Sequence, residues 1–200
     1  MVRARRMVRT YDPSRPISRT QLENYLNLAI RAPSAGYTQG WHFLVLDDIT
    51  SRAAFWSATA PGEPDAWRRG MMTAPVLVVC FADKSAYLDR YAEADKGWTD
   101  RDEARWPVPY WYVDVGMAAL LLLLAGWDDG LGGCFFGVPG FAWSDLRAAF
   151  GVPERFEPVG VVSLGHPAPD RRSPSLARGR RGTDEVVSYG VFGSGPGSAD

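Results

Sequence analysis

Met117 to Leu124 reads MAALLLLL, and Ala125, Gly126 and Trp127 follow it. Wound as a helix, this run is apolar on every face, and such a helix has to be covered all round. It falls well short of the roughly 20 residues that cross a bilayer. The rest of the chain must therefore be built around it. It is either the middle of the core or the seam of an obligate dimer, and composition alone leaves both open. Each Leu that it buries contributes about 1.5–3 kcal/mol of transfer free energy.

The chain is long enough for one domain with a sizeable core. Its 46% apolar content, with 8 Trp, 8 Tyr and 9 Phe, implies a globular fold. One domain is expected over 1–192, with an arm over about 166–192 and a disordered Gly/Ser tail at 193–200. Lys plus Arg (22) nearly balances Asp plus Glu (23), which argues against a nucleic-acid partner recruited by overall charge. Cys80 and Cys134 lie inside apolar segments and read as buried free thiols. The first residues are basic but no apolar run follows them, so no secretory or membrane signal is read. A cytoplasmic protein is expected.

Periodicity gives the order of elements. Leu22, Tyr25, Leu26 and Ala29 share one helix face, opened by capping-box spacing at either Ser18/Gln21 or Thr20/Glu23. Pro33 ends that helix at Ala32. A strand enters at Trp41, a helix is expected over Ser51–Thr59, and Ala60–Trp67 reads as a loop. Ala74–Ala82 (APVLVVCFA) lacks alternation and reads as a strand covered on both faces. A short helix and a long aromatic connection fill 83–109. The apolar helix then runs from Tyr110 to Asp129, followed by a strand over Cys134–Val138, a helix over Ala142–Phe150 and a last strand over Pro158–Gly165. This is a mixed α/β or α+β layered domain.

Two stretches invite chemistry. Arg31 to Leu46 (RAPSAGYTQGWHFLVL) places a small, Gly-punctuated loop between a helix and a strand, pliable yet held at both ends. Arg3, Arg5, Arg6 and Arg9 are either a solvated basic tail or an anion cradle, since guanidinium forks bind phosphate. Other signatures are missing. Gly130-Leu131-Gly132-Gly133 follows a helix and precedes a strand, and position 135 is Phe where a dinucleotide fingerprint needs glycine. His42 and His166 are the only histidines, so no metal site is expected. If the chain is an enzyme, a cofactor carries the reactive atoms.

Taken together, RRMVR at 5–9, RAPSAGYTQGWHFLVL at 31–46, GLGGCFFGV at 130–138, PVGVVSLGHP at 158–167 and GRRGTDEVV at 179–187 resemble the FMN-dependent nitroreductase family. The resemblance implies an α+β sandwich with a central mixed sheet flanked by helices. It also implies an intertwined homodimer with the long helix in the seam, a C-terminal arm around the partner, and FMN at the subunit interface. NAD(P)H would be the electron donor and an aromatic small molecule the acceptor. Carried over position by position, Arg5, Arg6, Met7 and Arg9 belong to the flavin-contacting N-terminal cluster. Pro33, Ser34, Ala35, Tyr37 and Gln39 belong to the loop along the ribityl chain and pyrimidine edge. Phe136, Gly137 and Val138 pack on the ring, and Arg180 or Arg181 completes the phosphate site. Tyr37, Tyr110 and Trp111 would wall the substrate pocket. The chain departs from the family pattern at Met7 (often a hydroxyl residue), Tyr37 (often Asn), Gly40 (often Pro) and Gly137 (Glu in some members). A flavin- or deazaflavin-binding protein without turnover is the alternative that this resemblance also allows.

Overall fold

Eight consecutive residues, Val76–Asp83, form the central strand, and all but the last are buried. The structure is a computed structural model and describes residue 2 and residues 5–170 and 173–194. Of the expected tail, residues 195–200 lie outside the described residues. The chain divides after Asp170 into a large N-terminal unit and a small C-terminal one.

In the large unit the elements run α1 (Arg19–Ala29), β1 (Trp41–Leu46), α2 (Ile49–Thr59), α3 (Ala66–Met71), β2 (Val76–Asp83), α4 (Lys84–Ala92), α5 (Tyr110–Asp128), β3 (Gly132–Phe136), α6 (Trp143–Phe150) and β4 (Phe156–Gly165). The small unit holds α7 (Thr183–Val186). The four strands make one sheet in the order β1-β2-β4-β3, every pair antiparallel. Among the described residues the parallel component expected of a mixed sheet is a single bridge, Met7 with Gly133. Cover on both faces explains the unbroken apolar run of β2, and says nothing about strand direction.

Side chains of β2 alternate between two cores, as the period of a strand requires. Val76, Val78, Cys80 and Ala82 join Leu22 and Tyr25 of α1 and Trp111, Val115, Ala119 and Leu122 of α5. Leu77, Val79 and Phe81 point the other way, to Phe55 and Trp56 of α2 and Leu146 of α6. The result is helices on both faces of one sheet, an α+β sandwich. Helix α5 buries Trp111, Val115, Ala118, Ala119, Leu122 and Leu123. Its other face is not covered: Val113 and Leu120 are more than two-fifths exposed. Among the described residues it alone has the length and composition of a membrane span, yet much of it is packed inside this fold.

Local chemistry sets the boundaries. Ser18, not Thr20, caps α1, and Ser18 and Gln21 close a reciprocal capping box. Helix α1 stops at Ala29 rather than Ala32. The amides of Arg31 and Ala32 reach three residues back, to Leu28 and Ala29, a tightened turn that carries the chain to Pro33. Helix α3 was not foreseen; it is six residues long, and the Asp65 carboxylate caps it by accepting from the Arg68 amide.

Candidate cofactor site

The arginine segment lies along β3. Val8 is buried, and its amide donates to the Gly133 carbonyl at 3.0 Å. Tyr11, also buried, donates its hydroxyl to the Val8 carbonyl and bonds Ser163 on β4 at 2.7 Å. Glycine at 132 permits this approach, because a Cβ there would stand 2.7 Å from the Val8 side chain. The Arg9 amide donates to the Asp170 carboxylate at 2.9 Å, while Arg6 is exposed. Burial pushes the Cys134 thiol above its ordinary value, against the pull of the nearby Arg9 and Arg5 guanidinium groups. Arg5 is the unusual member: its Nη1 is buried and has no hydrogen-bond partner among the described residues. A buried donor of this kind costs about 1–3 kcal/mol, and more when charged, unless an acceptor arrives.

The loop from Pro33 to Gly40 is held in an unfavourable shape. Gly36, Tyr37 and Gln39 have φ of 61°, 57° and 56°, and two of the three carry a Cβ that disfavours the left-handed region. Such strain, on the order of 1 kcal/mol per residue, persists only where neighbours fix it. Here they do. The Ala35 amide donates to Asp114 Oδ2 at 2.8 Å, and the Tyr87 hydroxyl donates to the same oxygen at 2.8 Å. Arg90 Nε donates to the Gly36 carbonyl at 2.9 Å, and the Gln39 amide to the Ser34 hydroxyl at 3.0 Å. The Tyr91 ring covers Gly36 so closely that a Cβ would meet it at 2.7 Å. Burial, then the bond to Asp114, drives the Tyr87 phenol far above its ordinary range. With the backbone pinned from behind, the Tyr37 side chain stands 80% exposed.

Phe136 ends β3 and stacks on Trp56, with Trp67 against its edge. Together with Phe55, Thr59 and the backbone through Gly137, Val138 and Pro139 these rings line a cavity of about 120 Å³. The Trp143 indole donates to the Val138 carbonyl at 3.2 Å and steadies that segment.

The remaining expected residues are spread more widely. Tyr110 is about half exposed, but Trp111 is buried in the core behind Tyr87 and Trp106 and its indole N–H has no partner among the described residues. Within the small unit Arg181 pairs with Glu185 at 3.1 Å, and Arg180 is exposed. Three residues that hold the loop were not foreseen: Asp114, Tyr87 and Arg90. Asp114 had a visible signal, a lone carboxylate inside an apolar helix, since a buried carboxylate needs hydrogen-bond donors.

The sheet order separates these groups. Arg5, Met7, Arg9 and Phe136–Val138 gather at the β3 edge, whereas the 33–40 loop feeds β1 at the opposite edge. Three strand spacings, roughly 14 Å, lie between the edges.

An antiparallel sheet sandwiched by helices, with an arginine segment along one edge and a pinned loop at the other, places the chain in the α+β sandwich class. The model of the Nitroreductase family matches residues 2–166, and the chain belongs to that family. A protein of Archaeoglobus fulgidus, provisionally named NADH dehydrogenase/NAD(P)H nitroreductase, is 30% identical over 175 residues, covering 86% of each chain. The NADH dehydrogenase of Thermus thermophilus is 33% identical over 196 residues, covering 85% of this chain and 88% of the relative. Among solved structures, an Exiguobacterium sibiricum nitroreductase-type protein in complex with FMN superposes with a TM-score of 0.63 at 24% identity, covering 90% of this chain and 95% of that one.

Proposed function

We propose that this chain is an FMN-dependent oxidoreductase that works as a homodimer in the reducing cytoplasm. The observation that carries the reading is Arg5. A guanidinium whose buried Nη1 has no partner among the described residues is the group that a phosphate dianion would satisfy. The names of the relatives support NADH or NADPH as donor. FMN bound there would supply redox chemistry at N5 between a nicotinamide donor of hydride and an electron-poor acceptor such as a nitroaromatic or quinone, in ping-pong order.

The chain's own part is to bind, orient and exclude water. Arg5 and Arg6, with Arg180 or Arg181 from the arm, hold the phosphate, and Met7 packs beside them. Arg9 supplies positive charge at the pyrimidine edge, where the reduced ring carries negative charge. Phe136, Gly137 and Val138 form the apolar wall. Pro33, Ser34, Ala35, Tyr37 and Gln39 line the polar side, with Tyr37 and Tyr110 facing the acceptor. Trp111 backs that pocket from inside the core.

A second copy completes this arrangement. Val113, Met117, Leu120 and Leu124 recur at helical spacing on the uncovered face of α5, and a partner there would bury them. Pairing brings the loop of one subunit to the arginine edge of the other, and the arm over 166–192 wraps the partner. Arg5→Ala combined with Arg181→Ala tests the assignment: the expected product is folded and largely colourless, and full flavin retention would contradict it. The exposed Tyr37 beside the ring favours one other reading, a flavin or deazaflavin holder without turnover. Bound flavin that no nicotinamide reduces would select it.

A further inference from the structure

We propose that Asp114 is a positioning residue for the cofactor loop, and that with Arg90 it forms a two-point clamp on the 33–40 backbone. The proposal rests on the reading that this loop meets the flavin. Asp114 is 1% exposed on a helix that is otherwise apolar over most of its length. A carboxylate in that place is weak evidence for stability, because an apolar side chain of similar volume would suit the core as well or better. Its use lies in what it accepts. One oxygen, Oδ2, takes both the Ala35 amide and the Tyr87 hydroxyl at 2.8 Å.

Arg90 acts independently, from α4. Its two terminal nitrogens are held by Asp95 at 2.6 and 2.7 Å, which aims Nε at the Gly36 carbonyl. The two anchors thus hold consecutive residues, Ala35 by its N–H and Gly36 by its C=O. Immediately beyond them the chain adopts the left-handed conformations of Tyr37 and Gln39. Bonds within the loop, from the Tyr37 amide to the Ser34 carbonyl at 2.9 Å and from the Gln39 amide to the Ser34 hydroxyl at 3.0 Å, shape the turn, and the two anchors tie it to the helices behind it. Without the anchors the loop would visit the binding geometry for only part of the time, and apparent affinity falls in proportion to that fraction.

The clamp therefore separates cofactor affinity from stability, which a merely structural role would not do. The test combines Asp114→Leu with Tyr87→Phe, so that no buried Tyr87 hydroxyl is left without its acceptor and only the Ala35 amide loses its anchor, and compares this double variant with Asp114→Asn, Tyr87→Phe and Arg90→Met. FMN Kd is read by flavin fluorescence quenching, Tm by circular dichroism, and backbone opening over 33–40 by hydrogen exchange without cofactor. The double variant should keep the parental Tm within a few degrees and bind FMN at least tenfold more weakly, with faster exchange at Ala35. Asp114→Asn, which keeps an acceptor oxygen, and Tyr87→Phe alone should stay within about threefold of the parent. A double variant that binds FMN as the parent does would overturn the proposal. So would an Asn variant that falls as far as the double one. If the double variant does not fold, Arg90→Met decides: weaker FMN binding at parental Tm supports the clamp, and parental affinity refutes it. A parent that takes up no FMN, while Ala35 still exchanges slowly in it and quickly in the double variant, would instead refute the functional reading and leave the clamp as a feature of the fold.

Discussion

Trp56 and Phe136 lie face to face, ring centroids 5.7 Å apart and planes within 6° of parallel. The pair fastens the end of β3 to α2, just where the chain leaves the sheet through Gly137 and Val138. The proposed wall of the flavin pocket is thus backed by an indole from the opposite layer.

Trp56→Ala should destabilise the protein by about 3–5 kcal/mol, the usual range for emptying a buried aromatic site. Urea denaturation followed by far-UV circular dichroism measures this. Trp56→Phe, which keeps a ring against Phe136, should recover most of the loss.

Arg5→Met separates binding from stability. Removing a partly buried guanidinium whose Nη1 has no partner among the described residues should leave the cofactor-free protein as stable as before, or more so. FMN affinity should fall roughly ten- to a hundredfold, the loss expected for a charge-assisted hydrogen bond. Parallel urea and FMN titrations check both signs.

Gly132→Ala should detach the arginine segment from outside the site. The added Cβ meets the buried Val8 side chain at 2.7 Å, so the N-terminal segment must shift or the variant lose about 1–3 kcal/mol. The expected outcome is weaker FMN binding with Arg5 and Arg9 both intact, measured by the same titration.

Stability should fall on the alkaline side. Burial pushes the Cys80 thiol from 9.0 up to about 12, and pushes the Tyr11 phenol well above its ordinary value of 10.0. Both groups keep their protons in the folded protein at pH values where the unfolded chain has released them. Their contribution is complete below about pH 9 and is lost as pH rises from there towards 12. Urea midpoints at pH 8, 9 and 10 should decline in that order, and Cys80→Ala should flatten the decline.

Much of this molecule is legible in its amino-acid sequence, and the gaps have physical causes. Leu22, Tyr25 and Ala29 announced α1 by spacing, and the continuous apolar run announced β2 as doubly covered. Strand direction was not legible, because the same run suits a parallel or an antiparallel neighbour. Helix α3 spans six residues, too few to show a period. Tyr110 and Trp111 were expected to wall one pocket together, but neighbours on a helix point about 100° apart, so the second turns into the core. Asp114 was visible as an odd residue in an apolar helix. Its partner, the Ala35 amide 79 positions away, belongs to the fold and not to any local pattern.

The visible absorption spectrum of the purified protein, recorded anaerobically before and after NADPH and then NADH, tests the proposed function most directly. A flavin spectrum that bleaches with either nucleotide is the expected result, and it also names the donor. A flavin that no nicotinamide bleaches would contradict turnover and point to a holder of flavin or deazaflavin. A colourless protein that also refuses added FMN would contradict the flavin site itself.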